Sequence, residues 1–70
     1  MSKVTVLGSG AWGTTLAQVL CDSGQEVLIW GRNSDVVNEI NNNKTNGKYL
    51  PGITLPAQLR ATIDIKEAFD

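Results

Sequence analysis

The chain has 70 residues, six basic against seven acidic side chains, no histidine and a formal net charge of −1. Its bases, Lys3, Arg32, Lys44, Lys48, Arg60 and Lys66, are scattered and form no stripe for nucleic acid or an anionic membrane. Cys21 stands alone, which excludes an internal disulfide, argues against a Cys/His zinc site and suits a reducing cytosol.

No apolar run nears the ~20 residues of a membrane span, and Lys3 precedes a short strand-like run rather than a signal peptide. A chain this short buries only about 60% of the surface its unfolded form exposes, so its core is thin.

Lys3 to Gly8, KVTVLG, is short, β-branched and apolar on both faces, as a buried parallel strand reads. Ala11 to Gly24 follows, with Leu16, Ala17, Leu20 and Cys21 at helical spacing and Gly24 as a natural stop. Glu26 to Trp30, EVLIW, is a second strand-like run. Ser34 to Asn41 sets Val36, Val37 and Ile40 on one helix face, with Ser34 as the expected N-cap and Asp35 in the first turn. A polar loop, NNNKTNGK, leads into YLPGITLP, whose two prolines and lack of period predict an ordered, irregular connection. Leu59 to Ile63 reads as a third strand. Asp64 then opens a helix with Glu67 at capping-box spacing, a pairing that fits a cap better than paired catalytic carboxylates.

Strand, helix, strand, helix, loop, strand, helix start: such alternation predicts an α/β fold with a parallel sheet of the doubly wound, Rossmann type. The last helix is capped yet barely begun, so residues 1–70 are expected to be the N-terminal portion of a larger domain. With strand order 3-2-1, the first strand of the isolated piece would lie at an open, apolar edge. The piece alone is therefore expected to aggregate or to pair through that strand.

Gly8, Gly10 and Gly13 make a G-x-G-x-x-G between the first strand and the first helix, within a βαβ unit. A lone glycine pattern is weak; this context is what specifies a dinucleotide-binding turn. Gly8 allows the tight turn, Gly10 leaves the backbone open to a pyrophosphate, and Gly13 lets helix and strand pack closely. The loop from Gly8 through Ser9 to Gly13 is thus the expected phosphate cradle, at a helix N-terminus with unpaired N–H groups. No Gly-Lys-Ser/Thr follows, which excludes a Walker-type loop.

An NAD site commonly sets Asp or Glu at the tip of the second strand, to hold the ribose 2′-hydroxyl. Here the tip reads Trp30-Gly31-Arg32-Asn33, and the nearest acid, Asp35, lies inside the next helix. Arg32 suits a 2′-phosphate, which favours NADP over NAD, and it can also stack on adenine. Trp12 either covers the cofactor or packs under a neighbouring loop. Cys21 reads as core rather than reactive.

Four stretches, VLGSGAWGTTLA at Val6 to Ala17, WGRN at Trp30 to Asn33, YLPGITLP at Tyr49 to Pro56 and ATIDIKEA at Ala61 to Ala68, together resemble the start of the bacterial NAD(P)-dependent glycerol-3-phosphate dehydrogenases. The resemblance covers nearly the whole chain. It implies an oxidoreductase that interconverts dihydroxyacetone phosphate and sn-glycerol 3-phosphate in the cytoplasm, feeds phospholipid synthesis and is a homodimer when complete. It also implies that Ala11 and Trp12 contact the nucleotide, that Arg32 and Asn33 lie near its adenosine end, and that Tyr49 approaches it from the loop. Without the resemblance, Tyr49 reads as a pin for its own loop.

Many family members carry serine where Ala11 stands, so only a backbone N–H remains there, and many carry a second basic residue where Asn33 stands. The family's catalytic lysine and its helical substrate domain match nothing in residues 1–70. Lys44, Lys48 and Lys66 read as solvated surface lysines, so no catalytic residue is expected within this segment, and no metal site. Three alternatives keep the same glycine loop: a nucleotide-sensing module without catalysis, another NAD(P)-dependent hydroxyacid or keto reductase, and a methyltransferase. The second should lack the Tyr-Leu-Pro-Gly stretch, and the third normally keeps an acid at the strand tip.

Overall fold

The computed structural model describes residues 3–69. Its elements run β1 (Lys3–Leu7), α1 (Ala11–Asp22), β2 (Glu26–Trp30), α2 (Ser34–Asn43), β3 (Arg60–Thr62) and α3 (Ile65–Ala68). The strands form one parallel sheet in the order β1-β2-β3. Lys3 pairs with Glu26 and Leu7 with Trp30 across the first ladder, and Leu28 with Arg60 across the second. This is the Rossmann-type opening that the alternation predicts. The last predicted helix runs to Asp70, which lies outside the described residues.

Strand alternation sends Val4, Val6, Val27, Ile29 and Ala61 to one face of the sheet. There they meet Ala17 of α1, Val36, Val37 and Ile40 of α2, and Leu55 and Leu59 of the long connection, in one buried cluster. Each fully buried aliphatic side chain there contributes roughly 1.5–3 kcal/mol. Leu20 and Cys21 pack on its margin, as the helical spacing implies. The other face carries Thr5, Leu28 and Trp30. There α3 lies across the sheet, with Ala68 buried and its carbonyl accepting from Thr5 Oγ1 at 2.8 Å.

Several expectations change. β2 is the strand buried on both faces, whereas in β1 only Val6 is fully buried and Leu7 is 59% exposed, because β1 has one strand neighbour among the described residues. Leu16 lies on the outer face of α1, since Thr14 and Ala17 take the buried one. Asn33, not Ser34, caps α2: its Oδ1 accepts the N–H groups of Asp35 at 2.9 Å and Val36 at 3.4 Å. α2 continues to Asn43, so the first asparagines of the polar stretch are helical, and Lys44 ends the helix with φ 57°. Asp64 does cap α3, accepting from the Lys66 N–H at 2.9 Å, but Asp64's own N–H goes to Thr62 Oγ1 at 3.0 Å, which leaves the capping box with Glu67 unmade.

α1 stops as its sequence predicts. Gly24, at φ 94°, donates to the Cys21 carbonyl, and Gln25 donates to that of Leu20, both at 3.1 Å; this is a Schellman ending. The connection after α2 is ordered without regular structure. Leu55 N–H donates to Lys44 O and Leu50 N–H to Asn46 O, each at 2.7 Å.

Candidate functional site

The glycine loop leaves the sheet beside the tip of β2. Gly8 N–H continues the ladder to Trp30 O at 2.7 Å, and its φ of 117° turns the chain in a way that a side chain resists. A Cβ on Gly13 would overlap the Gly8 carbonyl oxygen, so glycine there sets the close approach of α1 to β1. Gly31 is a second close approach: a Cβ there would lie 2.5 Å from Ser9 Oγ. Ser9 therefore packs its side chain against the tip of β2.

Gly10 differs from both. Its φ of −70° suits any residue, and a Cβ built on it meets nothing within 4 Å. Nothing among the described residues requires glycine at this point; its lack of a side chain keeps open the space over the first turn of α1. That turn has no side-chain cap and no acidic residue. The first helical bond is Thr14 N–H to Gly10 O at 2.9 Å, so the N–H groups of Ala11, Trp12 and Gly13 find no carbonyl within the helix. Those amides and the positive end of the helix dipole favour an anion.

An open cleft of about 380 Å³ extends from this loop. Gly8, Ser9, Gly10, Arg32, Asn33 and Tyr49 line it together, with Leu7 and Trp30 as its apolar floor. Ala11, Trp12 and Gly13 are not part of the lining. Trp12 is 90% exposed, so it does not pack under a neighbouring loop among the described residues. Arg32 is exposed and makes no bond to a described residue, whereas Asn33 Oδ1 is engaged in capping α2. No acidic residue lines the cleft.

A larger depression of about 500 Å³ flanks β3. Two of its polar side chains are already bonded: Asn41 to the backbone of Ala61, and Lys44 Nζ to Leu59 O at 2.7 Å. Lys44 is thus a half-buried structural lysine, not a solvated one. Lys48 sets its ammonium 5.4 Å from the Tyr49 ring centre.

The family described as the N-terminus of NAD-dependent glycerol-3-phosphate dehydrogenase matches residues 3–70. The chain belongs to this family. The glycerol-3-phosphate dehydrogenase [NAD(P)+] of Bacillus mycoides is 52% identical over 68 residues, which is 97% of this chain and 20% of that protein. The enzyme of Bacillus anthracis gives the same identity and coverage. Among solved structures, glycerol-3-phosphate dehydrogenase from Coxiella burnetii superposes with a TM-score of 0.87 at 40% identity, over 96% of this chain and 21% of that one. The Saccharomyces cerevisiae enzyme gives 0.83 at 38% identity, over 94% and 22%. The chain thus spans about one fifth of the length of the dehydrogenases it matches.

Sequence reasoning missed two residues that shape this segment. Asn46 is fully buried beneath the glycine loop, and Glu39 accepts from Thr45 Oγ1 at 2.5 Å and from the Gly47 N–H at 2.8 Å, on either side of Asn46. Those two bonds hold the Glu39 carboxyl below the usual glutamate range, the Thr45 hydroxyl contributing most and burial opposing. Among the described residues no cluster of histidine, cysteine and carboxylate could hold a metal, and no helix is long and apolar enough to cross a membrane.

Proposed function

We propose that residues 1–70 are the N-terminal part of a dinucleotide-binding domain, and that the intact protein interconverts dihydroxyacetone phosphate and sn-glycerol 3-phosphate with NADP or NAD. The observation that carries this reading is the cleft in which the glycine loop meets Arg32, Asn33 and Tyr49 over an uncapped helix N-terminus. The unfilled space at Gly10 is the room a pyrophosphate needs.

In this mechanism the N–H groups at the start of α1 hold the pyrophosphate, with Ala11 contributing only its backbone. Arg32 takes the adenosine end, where the lack of an acid favours a 2′-phosphate and therefore NADP. Asn33, with its Oδ1 on the helix, keeps its Nδ2 for the ribose side. Tyr49 forms the opposite wall, and Trp12, exposed at the start of α1, would cover the coenzyme. The coenzyme, once bound, supplies the hydride. The catalytic lysine and the substrate domain belong to chain outside this segment. The intact enzyme is a cytoplasmic homodimer whose product feeds glycerophospholipid synthesis.

Gly10→Val in the intact protein tests the reading. The expected result is loss of NADPH and NADH binding with only a modest fall in melting temperature, alongside loss of dihydroxyacetone phosphate-dependent NADPH oxidation. Retained coenzyme binding would remove this turn as the phosphate cradle.

A further inference from the structure

A fully buried asparagine holds the carbonyl that sets the coenzyme loop. Asn46 Nδ2 donates to Ser9 O at 2.9 Å and to Thr14 Oγ1 at 3.0 Å. Thr14, also fully buried, donates its hydroxyl to the same Ser9 oxygen at 3.1 Å. The three groups close a triangle beneath the glycine loop, linking residues 37 and 32 positions apart in the chain.

The Ser9–Gly10 peptide is trans, so its C=O and N–H point in opposite directions. Drawing the Ser9 carbonyl inward with two bonds therefore turns the Gly10 N–H away from the buried triangle, at a residue that lines the cleft. Asn46 also fixes the facing wall. Its own carbonyl accepts from the Leu50 N–H at 2.7 Å and from the Tyr49 N–H at 3.2 Å, closing the turn that carries Tyr49 into the cleft. One residue thus joins two walls of the cleft, one through its side chain and the other through its backbone.

Packing alone does not account for an asparagine here. Its Oδ1 is buried with no hydrogen-bond partner, a cost that an apolar side chain of similar size would avoid. What the asparagine supplies is its Nδ2 group, which donates to the Ser9 carbonyl and to the Thr14 hydroxyl that itself donates to that carbonyl.

We propose that Asn46, together with Thr14, is a positioning residue for the coenzyme: it orients the Ser9–Gly10 peptide so that the Gly10 N–H faces the pyrophosphate, and it spaces Tyr49 against the loop. The inference rests on the coenzyme reading above. Asn46 itself touches no ligand.

The test uses the intact dehydrogenase with NADPH and NADH as probes, their dissociation constants read by fluorescence titration well below each variant's melting temperature. Asn46→Leu and Thr14→Val should each weaken coenzyme binding on the order of tenfold. Thr14→Ser, which keeps the hydroxyl, should restore it. The double variant should lose little more than the worse single one, because both side chains act on one carbonyl. The KM for coenzyme should rise while kcat and the KM for dihydroxyacetone phosphate stay near wild type. If Asn46→Leu does not fold, the Thr14→Val and Thr14→Ser pair decides alone. Variants that bind as tightly as wild type, or that raise both KM values together, would overturn the inference and leave the coenzyme reading intact. Wild-type protein that binds neither coenzyme would overturn both.

Discussion

Asn41 bonds both backbone groups of Ala61: its Nδ2 donates to the Ala61 carbonyl at 2.9 Å, and its Oδ1 accepts the Ala61 N–H at 2.8 Å. Among the described residues β3 has β2 on one side and no strand on the other, and the side chain closes that outer side as a neighbouring strand would. An edge blocked in this way is protected from pairing with another chain.

Replacing Asn41 by leucine should leave both groups of Ala61 half-buried and unpaired. The expected cost is about 1–3 kcal/mol, with faster hydrogen exchange at the Ala61 amide of the intact protein. Unchanged protection at Ala61 would show that water satisfies the edge without the side chain.

Local patterns were readable and long-range polar contacts were not. The apolar run at Glu26 to Trp30 marks β2 at its observed bounds, and the glycine spacing identifies the turn because Gly8 and Gly13 answer constraints within a few residues of each other. Gly24 as a helix stop is equally local. Asn33 over Ser34 as N-cap is a one-residue competition between two good cap formers. Glu67 lost its capping role to Thr62, which propensity does not register. Asn41 and Asn46 bond partners 20 and 37 residues away, and no period or spacing encodes that. One signal was present: Asn41 and Lys44 continue the Val37–Ile40 stripe at helical spacing, and a polar residue on a buried stripe calls for a bonded partner.

Gly10 and Gly13 should part company on substitution to alanine. A Cβ at Gly13 overlaps the Gly8 carbonyl, so Gly13→Ala must push α1 from β1, at about 1–3 kcal/mol. A Cβ at Gly10 meets nothing, so Gly10→Ala should cost no more than the change of N-cap residue, within about 1 kcal/mol. Coenzyme affinity should nevertheless fall in Gly10→Ala. Thermal melts paired with NADPH titration separate the two effects, and equal melting losses would contradict the geometry.

Arg32 is exposed, lines the cleft and bonds to no described residue, so its removal should not disturb the fold. Arg32→Ala should weaken NADPH binding by about 1.5–3 kcal/mol, as expected for a lost charge-assisted bond, and spare NADH. Titration of both coenzymes decides it. An equal loss for the two would mean that the guanidinium stacks on adenine rather than holding a 2′-phosphate.

Glu39 ties the loop on both sides of Asn46, and its ionisation should be felt there. Its folded pKa lies below the ordinary value because the Thr45 hydroxyl, and then the Gly47 N–H, favour the carboxylate. A carboxyl depressed on folding contributes its stability above the unfolded pKa, about 4.3 for glutamate, and loses it as pH falls through the lower folded value. Protonation removes the charge that both donors favour, so exchange at the Gly47 amide should quicken, beyond its intrinsic pH dependence, across that acid window and not above it. Glu39→Gln keeps an acceptor oxygen without a titrating proton and should flatten this response while weakening the loop at neutral pH. A variant with the same pH profile as wild type would show that another carboxylate governs the loop.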